Sequence, residues 1–211
     1  MSAPLFTVIN TFTLKNPAEA ESFERQFLDH VQWMRRQPGF QAHQAVRSTE
    51  RPEVYLNFGW WTSPDHFKQV LASETFQAHA KEFHQLVDVE ADPSLTVLRI
   101  DGGPAGGQPV VVVERYQVKS TEGAEAFEGA YREYAQAAAR LDGFGHSDFA
   151  KALTRSGGYT AAASWRDEAS ARAARELPQY AAVLALAEAQ TVSAAPVAGN
   201  RGEFAKVPEG V

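Results

Sequence analysis

The chain of 211 residues is 44% hydrophobic, 11% aromatic and 22% charged, with a formal net charge of −6, a balance that argues for a packed globular fold and against nucleic acid or an anionic membrane surface as a partner. It holds no cysteine, which removes disulfides, thiolate metal sites, iron–sulfur clusters and thiol nucleophiles. No window approaches the roughly 20 apolar residues of a membrane span and the N-terminal stretch has no basic leader pattern, so a cytoplasmic protein is expected.

Phe6 to Leu14 alternates, with Phe6, Val8, Asn10, Phe12 and Leu14 on one face, the period of a strand. Asn16 is placed to cap a helix, with Pro17 at its first position and Glu19 three residues after the cap. Ala20, Phe23, Phe27, Val31 and Met34 form the apolar stripe of that helix, which Gly39 ends. Residues 41–48 and 53–61 read as a hairpin joined near Glu50-Arg51-Pro52. Ser63-Pro64 opens a helix with Phe67, Val70 and Leu71; beyond a break at Ser73 a further helical piece carries Phe76, Phe83 and Leu86, and Leu95 to Ile100 is the closing strand.

The order then repeats: a strand over Val110 to Val118, a helix from Ser120 to about Leu141, strands to Trp165, an Ala-rich helix and a weak strand near Thr191 to Val197. A shift of 104 positions lays Phe23-Glu24 on Phe127-Glu128, Gly39-Phe40 on Gly143-Phe144, Tyr55 on Tyr159 and Trp61 on Trp165 without a gap. The domain reading is a first repeat over 1–101, a Gly/Pro linker over 102–108, a second repeat over 109–198 and a loosely ordered tail over 199–211. Each βαββαβ unit is a ferredoxin-like arrangement, an antiparallel sheet with helices on one face. The strands are apolar on both faces, as in Val54-Tyr-Leu-Asn-Phe-Gly-Trp-Trp61, so the two copies are expected to pack as an intrachain pseudo-dimer.

Within 54–61, Tyr55, Asn57, Gly59 and Trp61 share a face. Asn57 is then an amide among aromatics, and Gly59 leaves that face open, as a small-molecule pocket requires. The alternative is an amide that satisfies a strand bulge or neighbouring backbone. Asn10 is the one polar member of its own face, and Trp33 flanks the helical stripe above it. The second copy holds Glu114 for Asn10 and Ala161 for Asn57 but keeps Trp165. Glu114 is expected to pair with Arg115 or Arg140, or else to act as a base in a second pocket. His79 and His84 are five apart and no carboxylate cluster joins them, so no metal site is expected, and His30, His43, His66 and His146 read as surface or capping residues. Motifs of the type GxGxxG, GxxxxGK[ST], GxSxG and HExxH do not occur.

Val31-Gln-Trp33, Pro38-Gly-Phe40 and Val54-Tyr-Leu-Asn57-Phe-Gly-Trp-Trp61 followed by Ser63 and Phe67 resemble the antibiotic biosynthesis monooxygenase superfamily, and the first copy resembles its cofactor-free anthrone oxygenases. The resemblance covers both copies and implies a dimeric α+β barrel, here built within one chain. It implies a monooxygenase that converts an electron-rich phenolic, anthrone or hydroquinone substrate to a quinone with dioxygen, needing no cofactor, neither metal nor flavin. Asn57 and Trp61 match the family's catalytic Asn-x-x-x-Trp, and Asn10, Trp33, Tyr55 and Phe67 are the expected substrate contacts. Tyrosines that touch substrate in the anthrone enzymes fall near Val46 and Phe67. The haem-degrading branch needs residues that fall on Asn10, Val70 and Ala80, and only Asn10 fits, with His79 one residue off. The alternatives are a flavin-assisted oxygenase of the same family and a non-catalytic small-molecule binder or polyketide cyclase. The expected partners are a small aromatic substrate and dioxygen; pairing of the chain into a homodimer is left open.

Overall fold

The computed structural model of the chain describes residues 5–103 and 108–197. Most of the expected linker, 104–107, and the expected tail, 199–211, lie outside the described residues. No described helix is long and apolar enough to cross a membrane.

Chain order is β1 (Phe6–Leu14), α1 (Ala20–Met34), β2 (Phe40–Ser48), β3 (Val54–Trp61), α2 (Pro64–Leu71), α3 (Glu74–Leu86) and β4 (Val87–Asp101). It continues with β5 (Val110–Val118), α4 (Ala124–Ala138), β6 (Phe144–Ala152), β7 (Gly158–Trp165), α5 (Glu168–Arg175), α6 (Pro178–Leu186) and β8 (Ala187–Pro196). The fold is α+β, two ferredoxin-like units in tandem, with the second helical stretch of each unit broken in two. The breaks are chemical as well as geometric. Ser63 and Ser73 cap α2 and α3, accepting the N–H groups of His66 and Phe76. Asn16 caps a short 3₁₀ turn, Pro17–Glu19, that leads into α1.

Among the described residues, the first unit holds 5–93 together with 196 and 197, and the second holds 94–103 and 108–195. In the first, β3 is central. It pairs antiparallel with β1, Asn10 opposite Asn57 and Phe6 opposite Trp61, and with β2, His43 opposite Gly59. Residues directly opposite in an antiparallel pair share a face. A bulge between Phe40 and Ala42 shifts the alternation of β2, so that Phe40 and His43 both lie on the face of Asn57. Phe12, Phe23, Phe27, Tyr55 and Phe83 pack on this face beneath the helices, with ring centroids 4.9–6.5 Å apart.

In the second unit the order is β8, β5, β7, β6 and the latter half of β4, all antiparallel. The strand expected at 95–100 to close the first copy is therefore part of the second unit's sheet, where Ser94–Asp101 pairs with β6. Periodicity identifies a strand but not its neighbour. Arg99 sits opposite Asp148 in this pairing, with Nε 2.8 Å from Oδ1, and burial pushes Asp148 up to about 7 against the pull of the guanidinium. The closing strand β8, which reads as weak from residue 191, begins at Ala187 and pairs with β5 from Val118↔Ala187 to Val111↔Ala194.

The offset of 104 does not run to the end. Lys15 N–H donates to Leu86 carbonyl at 2.9 Å and Lys119 N–H to Leu186 at 3.0 Å, so the first residues are 104 apart and the acceptors 100. The difference lies in the last helix, nine residues in α6 against thirteen in α3. Four residues is close to one helical turn, a deletion that keeps the flanking strands in phase.

The repeated Gly-Phe pair has a physical cause. The helix before it stops at Met34, five residues short of the glycine; Gly39 instead forms the turn into β2 at φ +80°, and Gly143 the matching turn at φ +84°. A Cβ at residue 39 would come within 2.4 Å of the His66 ring on α2, and one at 143 within 2.5 Å of Ser170 Oγ on α5. Both the left-handed backbone and the close approach require glycine. Gly39→Ala is expected to cost ~2–4 kcal/mol, combining left-handed strain with displacement of His66. A urea denaturation midpoint unchanged from the parent protein contradicts this.

Candidate active site

The face carrying Asn10 and Asn57 does not close completely against its helices. It bounds a cavity of about 250 Å³ roofed by α1, α2 and α3 and lined mostly by apolar side chains. The polar exceptions are few: Asn10 of β1, Asn57 and the indole of Trp61 on β3, His43 of β2, His30 of α1 and His84 of α3. A small number of polar groups converging on an apolar cleft is the usual make-up of a ligand site.

Trp61 is 1% exposed, its ring held between Phe40 and Phe67 with centroids at 5.2 and 5.3 Å. Phe67 in turn packs on Phe6 at 5.7 Å. These edge-on and tilted contacts hold the indole ring in place. The position a Cβ of residue 59 would occupy is 3.6 Å from Trp61 Nε1 and 3.9 Å from Asn57 Nδ2. Two N–H donors two residues to either side of Gly59 thus flank the open space that its missing side chain leaves. Asn10 lines the same cavity from the adjacent strand.

His43 is 2% exposed and lines the cavity, with Nδ1 3.3 Å from Asn57 Oδ1. Since the amide oxygen only accepts, His43 donates from Nδ1 and holds the amide with its NH₂ toward the cavity. Against the alternative of an amide that satisfies a strand bulge or neighbouring backbone, the structure sets this arrangement: the bulge lies in β2, and it brings His43 to Asn57. His30 also lines the cavity, its Nδ1 2.9 Å from Nδ1 of His79 on α3. Burial first, then the neighbouring His79, holds His30 down at about 4. His30 and His43 are site residues that the sequence reading assigns to surface or capping positions. The sequence carries no signal for either: a bulge in β2 brings His43 to this face, and tertiary packing brings His30 to the cavity.

Two expected substrate contacts are displaced. Trp33 does not line the cavity; it lies roughly 100° round α1 from the stripe of Phe27, Val31 and Met34. Its ring packs against His30 and His79 at 5.7 and 5.3 Å. Tyr55 shares the face of Asn57 but sits one pair further along, under the start of α1. There its hydroxyl donates to Glu24 Oε1 at 2.7 Å, and the Arg47 guanidinium lies 5.2 Å from the ring. It borders a separate void of about 10 Å³. Asn10, Asn57, Trp61 and Phe67 are brought together.

The second unit fills the equivalent space, leaving about 10 Å³ among Tyr131, Tyr134, Trp165 and Arg175. Glu114 pairs with neither Arg115 nor Arg140: it accepts from Tyr116 and Tyr180 hydroxyls at 2.7 and 2.6 Å, with Arg175 Nε 3.7 Å away. Arg175 comes from the helix position of Leu71, and Tyr180 from that of Phe76, so residues of α5 and α6 reach inward. Burial and then Glu114 raise both tyrosines, which keeps their hydroxyls protonated and donating.

Residues 5–82 and 109–186 each match the family model for antibiotic biosynthesis monooxygenase. Deoxynogalonate monooxygenase of Streptomyces nogalater is 36% identical over 81 residues, 38% of this chain and 66% of its own length, so the chain spans just under two thirds of that relative. The crystal structure of SnoaB, a cofactor-independent oxygenase from Streptomyces nogalater, is 34% identical over 42% of this chain and 89% of its own, with a TM-score of 0.38. The crystal structure of an anthrone oxidase-like protein shares the fold over 92% of this chain and 91% of its own, at 15% identity and a TM-score of 0.70.

Proposed function

The chain belongs to the antibiotic biosynthesis monooxygenase family, and on that premise we propose that its first unit oxidises an anthrone-like or hydroquinone-like aromatic to a quinone with dioxygen, without metal or flavin. What carries the reading is the pair of N–H donors, Asn57 Nδ2 and Trp61 Nε1, flanking the gap above Gly59 in an apolar cavity. The named relative acts as a monooxygenase and SnoaB is described as cofactor-independent, which supports the same chemistry here.

Ground-state dioxygen is a triplet and reacts sluggishly with closed-shell organic molecules, so the substrate must itself supply the first electron. An anthrone does so once its CH₂ loses a proton. The apolar walls hold the planar ring, and Asn10 orients its oxygen. The carbanion passes one electron to dioxygen, the radical pair combines into a C–O bond, and the peroxide anion takes a proton. Loss of water, with the remaining C–H proton, leaves a carbonyl; one dioxygen is consumed per CH₂ converted to C=O. Asn57 and Trp61 hold the negative oxygen as it forms, since fixed donors in a dry site stabilise charge more than mobile water does. His43 acts through Asn57 as a positioning residue.

The test is oxygen uptake by protein treated with chelator and stripped of flavin, given an anthrone. One equivalent of dioxygen consumed per quinone formed is the expected result. Quinone formation that begins only when reduced flavin is added overturns the cofactor-free reading in favour of the flavin-assisted one; spectral change of a bound quinone without uptake marks a binder.

A further inference from the structure

Removing the substrate proton and returning one to the peroxide anion needs a group that exchanges protons inside the cavity, and Asn57, Trp61 and Asn10 do not titrate in the working range. We propose that His30 and His79 form a two-ring proton relay, in which His30 takes the substrate proton at Nε2 and passes its own Nδ1 proton to Nδ1 of His79. The inference rests on the oxygenase reading of the same cavity.

The geometry carries it. His30 lines the cavity, whereas His79 does not; the two rings meet at 2.9 Å between Nδ1 atoms and stand at 84°. A contact of that length between two imidazole nitrogens requires a shared proton, donated by one ring and accepted by the other. With both Nδ1 atoms engaged, Nε2 of His30 is the nitrogen left for a ligand, and no hydrogen bond to it occurs among the described residues. Phe76 and Phe83 stand edge-on to His30 at 5.7 and 5.3 Å, and Trp33 packs on both histidines. Aromatic rings thus brace the couple, three of them on His30 and Trp33 on His79 as well. The other titratable groups lining the cavity are His43 on β2 and His84 on α3; no carboxylate, lysine or arginine is among the lining residues.

Proton count closes over the cycle. The substrate C–H or O–H loses its proton to His30 Nε2 as the Nδ1 proton moves to His79, which becomes the charged ring. Once dioxygen has added, the motion reverses: His79 returns a proton to His30 Nδ1, and His30 Nε2–H protonates the peroxide anion. The positive charge rests on the outer ring in between, consistent with burial holding His30 at about 4.

His30→Phe and His79→Phe keep an aromatic ring in each position. Each is expected to lower the neutral-pH rate about tenfold or more, a modest general-base effect because an anthrone's own acidity lets water take part. The deficit vanishes as pH rises through the substrate's own pKa, and the double variant is no slower than either single one. A deficit constant with pH, or additive losses, overturns the relay and assigns the pair a structural role. A second readout does not need turnover: a bound hydroxyanthraquinone is expected to ionise about one pH unit lower in the parent protein than in either variant, followed by absorbance. Equal ionisation in all three overturns the relay. Shifted ionisation without oxygen uptake by the parent overturns the oxygenase reading and leaves the relay standing.

Discussion

Asn57→Ala is expected to lower kcat/KM for anthrone oxidation by about 10²–10³-fold, the usual result of deleting one fixed donor to a developing oxyanion. The loss belongs mainly in kcat, because the amide meets full negative charge only after dioxygen has reacted, while ring binding rests on the apolar walls. Folding suffers little: the His43 Nδ1–H loses an acceptor at 3.3 Å, worth roughly 1–2 kcal/mol. Asn57→Asp separates the two duties of this side chain. It preserves shape and an acceptor for His43 but removes the N–H donors and adds negative charge, so it should be at least as slow as the alanine variant. Trp61→Phe keeps the ring between Phe40 and Phe67 and removes only the indole N–H. A loss of about tenfold is expected there, since the second donor remains. The decisive measurement is steady-state oxygen uptake over a range of anthrone concentrations. If Asn57→Ala keeps more than about a third of the parent rate, or loses only affinity, the amide is not the oxyanion donor and the site needs another explanation.

Why Asn57 was legible in the sequence and its partner was not comes down to a bulge. Residues 54–61 form an unbroken β3, so alternation correctly groups Tyr55, Asn57, Gly59 and Trp61, and the register with β1 brings Asn10 opposite Asn57. On β2, alternation counted from Phe40 sends His43 to the opposite face. The register shift between Phe40 and Ala42 reverses that, and nothing in Phe-Gln-Ala-His announces it. His30 and His79 are 49 residues apart on α1 and α3, so only tertiary packing makes them a pair. The repeat shows the same division. The 104-residue offset is plain wherever large residues anchor it, from Phe23 on Phe127 to Trp61 on Trp165. It fails in α6, where Ala181 to Leu186 is uniformly small or aliphatic and a missing turn leaves no mark in composition. What filled the second unit's cavity was also hidden: besides Tyr116 two residues on, Glu114 finds its partners on Tyr180 and Arg175, more than 60 residues away, and not on Arg115 or Arg140.

Gly59→Ala should abolish most activity while leaving the protein as stable as before, or more so. The added methyl would meet Trp61 Nε1 at 3.6 Å, Val8 carbonyl oxygen at 3.8 Å and Asn57 Nδ2 at 3.9 Å, all ordinary van der Waals separations. Residue 59 is not among the positive-φ glycines, so its backbone suits an L residue. Alanine in a strand interior also gives up less conformational freedom on folding than glycine, a gain of about 0.5–1 kcal/mol. The chemistry, by contrast, loses the space that both donors flank. An oxygen seated there must move by about the width of a methyl group, and a misplacement near 1 Å typically costs about 10²-fold in rate. The second unit offers an internal comparison, since it carries Ala163 at the matching position, beside Trp165, where the cavity is filled. Two measurements on one variant test the claim: the urea midpoint, expected at or above that of the parent, and oxygen uptake, expected about 10²-fold below. A variant that stays active with the methyl in place shows that no reacting oxygen sits above Gly59, whereas a variant that loses both stability and activity reports only damaged packing of β3.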